Sequence, residues 1–278
     1  MPELPEVETV CRGLASCLEG RRIERVDVRR SGMRIPFPKG LASVMQGRKV
    51  TRVTRKAKYI LMYLDDGHVI LAHLGMSGRM VISSEKVSPG RHDHIVLTTN
   101  EATTIMFNDP RRFGLLTFTT DQELAGHRLL RDLGPDPLDR GFTPEVLSQS
   151  LRGRSTNIKS ALMDQKLIAG LGNIYVCESL HWAGISPRRR SLSVPGLRAK
   201  RLVPAIKKIL HEAILAGGST LRDHIQPSGE LGYFQHQFHV YDREGEECLR
   251  DTCIAKGVRI KRIVQSGRST FYCSECQR

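Results

Sequence analysis

"KYILMYLDDGHVILAHLGM", residues 58–76, sets the reading of the N-terminal half. Two short β-prone apolar runs flank Asp-Asp-Gly, the pattern of strands joined by a turn. "HDHIVLTT" (92–99) and "TTIMFND" (103–109) repeat the pattern. From Arg22 to about Phe118 the chain therefore reads as an antiparallel sheet domain, a sandwich. Upstream, residues 3–19 carry Val7, Val10, Leu14 and Leu18 at the three-to-four spacing of an amphipathic helix, ended by Gly20. The N-terminus leads straight into a packed helix.

Downstream, the Pro-, Gly- and Asp-dense "RDLGPDPLDRGFTP" marks an interdomain linker at 131–144, which leaves 1–130 as the first domain. "PEVLSQSL", "IKSALMDQ", "GNIYVCESLHWAG" and "GLRAKRLVPAIKKILHEAILAGG" have helical apolar spacing. Residues 145–236 form a helical domain and 237–278 a cysteine-bearing, β-rich tail. The fold class is α+β: an N-terminal β-sandwich with a capping helix, then helices, then the tail. At 278 residues the chain is long enough for two modest domains.

Lys and Arg number 43 against 29 for Asp and Glu, a net charge of +14, which calls for a polyanionic partner. The cations come in short groups such as "RRIERVDVRR", "RKAK", "DPRRF", "PRRR" and "RIKR". That distribution favours a folded basic face over a tethering tail. No apolar run approaches the ~20 residues that span a bilayer, and the N-terminus lacks the regions of a signal peptide, so the expectation is a cytoplasmic protein without a membrane partner.

Seven cysteines, an odd number, argue against a secreted disulfide framework. Cys248, Cys253, Cys273 and Cys276 instead form C-x4-C, an interval of 19 residues, and C-x2-C. Paired thiolates at short spacing suit tetrahedral Zn2+, so one structural zinc is expected and no organic cofactor. All four ligand positions being filled, this zinc holds the fold and does no chemistry. Gly267 marks the turn of a hairpin between the pairs, which would push Arg268 outward. Cys11, Cys17 and Cys177 fall on predicted helices as core residues.

The opening "MPELPEVETV" raises a chemical possibility. A small residue after Met1 usually allows the methionine to be removed, leaving Pro2 as a secondary amine beside the Glu3 carboxylate. The plainer account of Glu3 and Glu6 is that they satisfy the positive end of the first helix.

Together with "RKAKYI", "HLGMSGRM", "HDH", "DPRRFG", "DLGPDPL", "LMDQKLIAGLGNIYVCESL", "GYFQHQFHVY" and "RSTFYCSECQR", this opening resembles bacterial formamidopyrimidine-DNA glycosylases along essentially the whole chain. The resemblance implies a bifunctional base-excision repair enzyme that acts as a monomer on damaged double-stranded DNA. It would excise oxidised purines such as 8-oxoguanine and formamidopyrimidines and cleave the abasic strand by β,δ-elimination. It also implies a helix-two-turn-helix domain with a β-hairpin zinc finger, and DNA in the cleft between the halves. The first cysteine pair departs from the family's usual C-x2-C, and the interval after it is longer.

The same resemblance distributes roles. Pro2 would be the nucleophile, since an N-terminal amine has an ordinary pKa of about 8 against about 10 for lysine. Glu3 would be the general acid/base and Lys58 a proton-transfer and phosphate group. Arg268 would grip the phosphates flanking the lesion and aid δ-elimination, its guanidinium suiting bidentate binding. A flipped base leaves a hole, and Met76, Arg111 and Phe113 match the void-filling residues. His92, Arg154, Lys159 and Asn173 match DNA contacts, Arg154 replacing a common lysine, and Thr220 lies in a Gly- and Ser-rich stretch that resembles the loop closing over the flipped base. The rival readings are an endonuclease VIII-like glycosylase for oxidised pyrimidines and a zinc-dependent DNA-binding protein without catalysis.

Overall fold

The computed structural model describes residues 1–85, 87–219 and 232–278. The chain forms two compact units, Met1–Asp132 with Ile214–Tyr233, and Leu133–Ala213 with Phe234–Arg278.

The first unit opens with helix α1 (Leu4–Leu18), followed by β1 (Ile23–Val28), the short α2 (Leu41–Met45), β2 (Val50–Lys56), β3 (Tyr59–Leu64), β4 (His68–His73), β5 (Arg79–Ser83), β6 (Asp93–Thr99), β7 (Thr104–Asn108) and β8 (Leu115–Thr120). The strands make two four-stranded antiparallel sheets, in the orders β1-β6-β7-β5 and β2-β3-β4-β8. Alternation decides which side chains enter the core: Ile60 and Met62 of β3 and Ile70 and Ala72 of β4 join Ile95, Leu97, Ile105 and Phe107 of the other sheet. Val7, Val10, Leu14 and Leu18 of α1 are buried in the same cluster, each worth about 1.5–3 kcal/mol on leaving water. The helix is thereby fixed to the sandwich, and with it the N-terminus.

Register then sets what stands at one end of the second sheet. Lys56 pairs with Tyr59, Tyr59 with His73, and His73 with Leu115. The turn at residues 57–58, the loop after His73 and the loop before Leu115 consequently emerge from the same edge.

The second unit contains α3 (Pro144–Leu151), α4 (Ile158–Met163), α5 (Asn173–Ala183), α6 (Leu197–Leu215), the single-turn α7 (Asp251–Ile254) and the hairpin β9 (Ile260–Gln265) and β10 (Arg268–Cys273). Thr143 and Asn157 cap α3 and α4 through Val146 N–H and Ser160 N–H, and Pro144 stands where a missing N–H costs nothing. Helix α5 is buried almost all round, from Ile174 to Ala183, which makes it the spine of the unit. It ends at Gly184 in the left-handed region, φ 66°. Among the described residues, no helix is long and apolar enough to cross a membrane.

Candidate active site and metal centre

The N-terminus of α1 is pinned where most chain ends fray. Pro2 and Glu3 are buried while Met1 ahead of them is exposed. Glu3 is the N-cap, and its N–H donates to Glu6 Oε2 at 2.8 Å within a capping box. The other Glu6 oxygen accepts Ser219 N–H at 2.9 Å and Ser219 Oγ–H at 3.0 Å. Gly218 (φ 81°) permits this approach, since a Cβ there would lie 3.1 Å from Glu6 Cγ. Glu6 is thus a structural anchor that holds Glu3 and Pro2 in place.

Lys58, expected as the first residue of a strand, stands in the two-residue turn between β2 and β3, one residue ahead of β3. The turn is possible because Ala57 adopts φ 54°, and its carbonyl is held by Arg55 Nη1 at 3.0 Å. Arg55 also donates Nε–H to Glu8 of α1 at 3.0 Å. Lys58 is buried. Burial first, and then the charges of Lys58 and Arg34, push His73 down to about 4. The ring is therefore neutral at pH 7, and its Nδ1 accepts Gly75 N–H at 2.9 Å.

That bond begins the loop carrying Met76. Met76 and Phe113 are 41% and 45% exposed, and Arg111 lies over the Phe113 ring at 4.9 Å. Both loops hang on Asp109, which is 0% exposed. Asp109 accepts Ser77 Oγ–H at 2.6 Å through one oxygen and Gly114 N–H at 2.8 Å through the other, and Ser77 Oγ accepts Arg111 N–H at 3.2 Å. The loops touch closely: a Cβ on Gly75 would come within 2.4 Å of the Phe113 carbonyl carbon. His94 Nε2 bonds the Asp109 carbonyl at 2.8 Å, and half-buried His92 lies edge-on to it at 6.5 Å.

In the second unit, the β9–β10 turn consists of Ser266 (φ 49°) and Gly267 (φ 71°), the two positive φ values of a type I′ hairpin. Arg268 follows at the start of β10, exposed. Lys159 is 1% exposed and donates to Ser269 O at 3.0 Å and Thr270 Oγ1 at 2.7 Å. The resemblance implied a DNA contact at Lys159; in the fold its ammonium is spent on the hairpin backbone and on Thr270. Asn173 Nδ2 donates to the same Ser269 carbonyl at 3.0 Å. The turn leading to Asn173 is closed by Gln165, whose Nε2 donates to Leu171 O at 2.8 Å and whose Oε1 accepts Gly170 N–H at 2.9 Å. Arg154 is exposed, its Nε on Ser150 O at 3.0 Å. Thr220 lies outside the described residues.

Cys248, Cys253, Cys273 and Cys276 bring four sulfurs within 4.8 Å of one another. Four thiolates at about 2.3 Å from a central Zn2+ stand about 3.8 Å apart in a tetrahedron. Cys253 and Cys273 are 3.7 Å apart and Cys248 and Cys276 3.9 Å, far beyond a disulfide bond and right for a shared ion. The residues fit a structural zinc, which would tie the two chain segments of the finger together. Cys11 and Cys177 are core residues, as expected, and burial pushes the Cys11 thiol up to about 12.

Sequence reasoning missed Asp109, Ser77, His73 and Gln165 because each acts through a partner distant in sequence or through backbone geometry. Their signal in the sequence was no more than a place within a few residues of glycine, in "HLGMSG", "DPRRFG" and "DQKLIAGLG".

Two family profiles match the chain: the formamidopyrimidine-DNA glycosylase N-terminal domain over residues 1–116, and the formamidopyrimidine-DNA glycosylase H2TH domain over 133–224. A formamidopyrimidine-DNA glycosylase of Azorhizobium caulinodans is 51% identical over 296 aligned positions, covering all of both chains. The MutM (Fpg) protein of Thermus thermophilus superposes with a TM-score of 0.87 at 37% identity, over 99% of this chain and 98% of that one. A variant of the Lactococcus lactis Fpg, solved with DNA containing Fapy-dG, gives 0.90 at 29% identity over the full length of both.

Proposed function

The chain belongs to the formamidopyrimidine-DNA glycosylase family, bifunctional glycosylases and AP lyases that excise oxidised purines from DNA, and on that premise we propose that Pro2 is its nucleophile once Met1 is removed. The observation that carries this is the pinned N-terminus: Pro2 is buried next to Glu3, and Glu3 is fixed through Glu6 and Ser219. The Pro2 nitrogen attacks C1′ of a flipped nucleotide, the glycosidic bond breaks, and the base leaves with a proton. Glu3 exchanges protons with the opening sugar. The resulting iminium acidifies the C2′ protons, and Lys58 serves their transfer during β-elimination. Loss of the second phosphate follows, with Arg268 holding phosphate oxygens.

Met76, Arg111 and Phe113 fill the place of the extruded base. Met is adaptable, Phe wedges between base steps, and Arg bonds the orphaned partner. Arg154 and His92 contact phosphate. The substrate is duplex DNA and the place of action the cytoplasm.

Borohydride trapping tests the reading, on a duplex with one 8-oxoguanine opposite cytosine. The mature protein, its loss of Met1 confirmed by intact mass, should crosslink only to the damaged duplex, and Pro2→Gly should crosslink far less. A mature, zinc-loaded protein that gives no crosslink would rule out the amine mechanism, and duplexes with oxidised pyrimidines would then be tried.

A further inference from the structure

The finger and helix α5 meet at His181. The ring is buried, and its Nε2 lies 3.6 Å from Cys248 Sγ. His239 stacks on it at 5.8 Å with an interplanar angle of 28°. The backbone behind His239 is fixed in turn, because the buried Glu178 accepts the N–H groups of His239, Val240 and Tyr241 at 2.8–3.0 Å. The imidazole is thus clamped in an orientation that aims one nitrogen at one cysteine.

A buried Zn2+ with four thiolates carries two net negative charges, and such a site depends on N–H donors to its sulfurs. The wide first pair leaves room for α7, and Arg250 at its N-cap reaches back to the carbonyls of His181 and Trp182. The second pair is tied to the same place, since Gln277 Nε2 donates to Ile185 O at 2.9 Å and its Oε1 accepts Cys273 N–H at 2.8 Å. At its other end α5 begins with Asn173, which holds Ser269 beside Arg268.

We propose that His181 is an outer-sphere partner of the zinc, its Nε2–H donating to the Cys248 thiolate and locking the finger to the C-terminal end of α5. It is a positioning residue: it keeps the metal site and the Arg268 hairpin on one rigid helix. The proposal rests on the zinc reading of the four cysteines, so metal content is measured first. A wild-type chain holding less than one equivalent of zinc would remove both.

The full-length holoprotein is then compared with His181→Phe and His181→Gln. Loss of the donor in His181→Phe should speed zinc release to a chelator by about 10–100-fold. In the Co2+-substituted protein it should move the thiolate-to-metal charge-transfer band to lower energy, because a sulfur lone pair without its hydrogen bond is a better donor. Glutamine, which brings a side-chain N–H, should restore both. Unchanged release and an unchanged band in His181→Phe overturn the proposal, as does a glutamine variant that behaves like phenylalanine. Should the phenylalanine variant not fold, the wild type itself decides. With 113Cd in the site and 15N-labelled histidine, a scalar coupling between the metal and the His181 Nε2–H is expected across the hydrogen bond, and its absence refutes the donation.

Discussion

His73 shows how one side chain shapes a surface it does not join. Its Nδ1 must stay unprotonated to accept Gly75 N–H, and Gly75 opens the loop that exposes Met76. Burial beside Lys58 keeps it so, with a folded-state value of about 4 against an ordinary 6.5. The folded state therefore disfavours protonation. The corresponding stability is complete above pH 6.5, is lost as pH falls from 6.5 towards 4, and changes no further below. Its upper bound is roughly 3 kcal/mol. Urea midpoints of wild type and His73→Gln, whose amide oxygen still accepts but does not titrate, should diverge across that window, and parallel pH profiles would dismiss the account. Asp109 is the second such residue. Replacing one oxygen by NH2 in Asp109→Asn sets a donor against Ser77 Oγ–H or Gly114 N–H in a dry site. We expect a loss of about 2–3 kcal/mol and faster amide exchange at Gly114. A variant as stable as wild type would show that the clamp carries nothing.

At the scale of elements, the β9–β10 hairpin depends on α4 and α5. Lys159 from α4 and Asn173 from α5 converge on one carbonyl, Ser269 O, next to Arg268. Lys159→Met keeps the aliphatic stem and deletes two bonds, at a cost of about 1–3 kcal/mol. The variant should fold and keep one zinc, while amides at Gly267 and Arg268 exchange faster and strand cleavage falls. Unaltered exchange there would mean that the hairpin stands without the strut. The elements themselves were legible in the sequence: "PEVLSQSL" is α3 from end to end, and the Gly267 turn and four-cysteine spacing emerged as read. The burial of Lys159 is not legible in the sequence, for a physical reason. A lysine in a basic chain looks solvated by composition, and only the fold shows it buried against a carbonyl from a segment more than a hundred residues later. Lys58 reads as the first residue of the strand run "KYILMYL", and nothing in sequence says that Ala57 accepts a left-handed φ to turn there. Asp109 was invisible for the same reason, since its partners are chosen by sheet register.

For the whole molecule, the decisive quantity is its net charge of +14. Each phosphate that a cation neutralises releases counterions, so affinity for duplex DNA should fall steeply with salt. A footprint of 6–10 phosphates predicts a loss of about 10³–10⁵ in affinity between 50 and 200 mM. The slope also sorts cations by role. Arg154 and Arg268 are exposed and are proposed to meet phosphate, so Arg154→Ala and Arg268→Ala should each lower the slope of log K against log salt by about 1. Lys159 is buried with its ammonium on Ser269 and Thr270, so Lys159→Met should weaken binding, if it does so at all, by the same factor at every salt concentration. Fluorescence anisotropy with a duplex bearing a stable abasic analogue gives all four slopes. A slope reduced by Lys159→Met as much as by Arg154→Ala would make that lysine a phosphate contact and overturn its assignment as a strut.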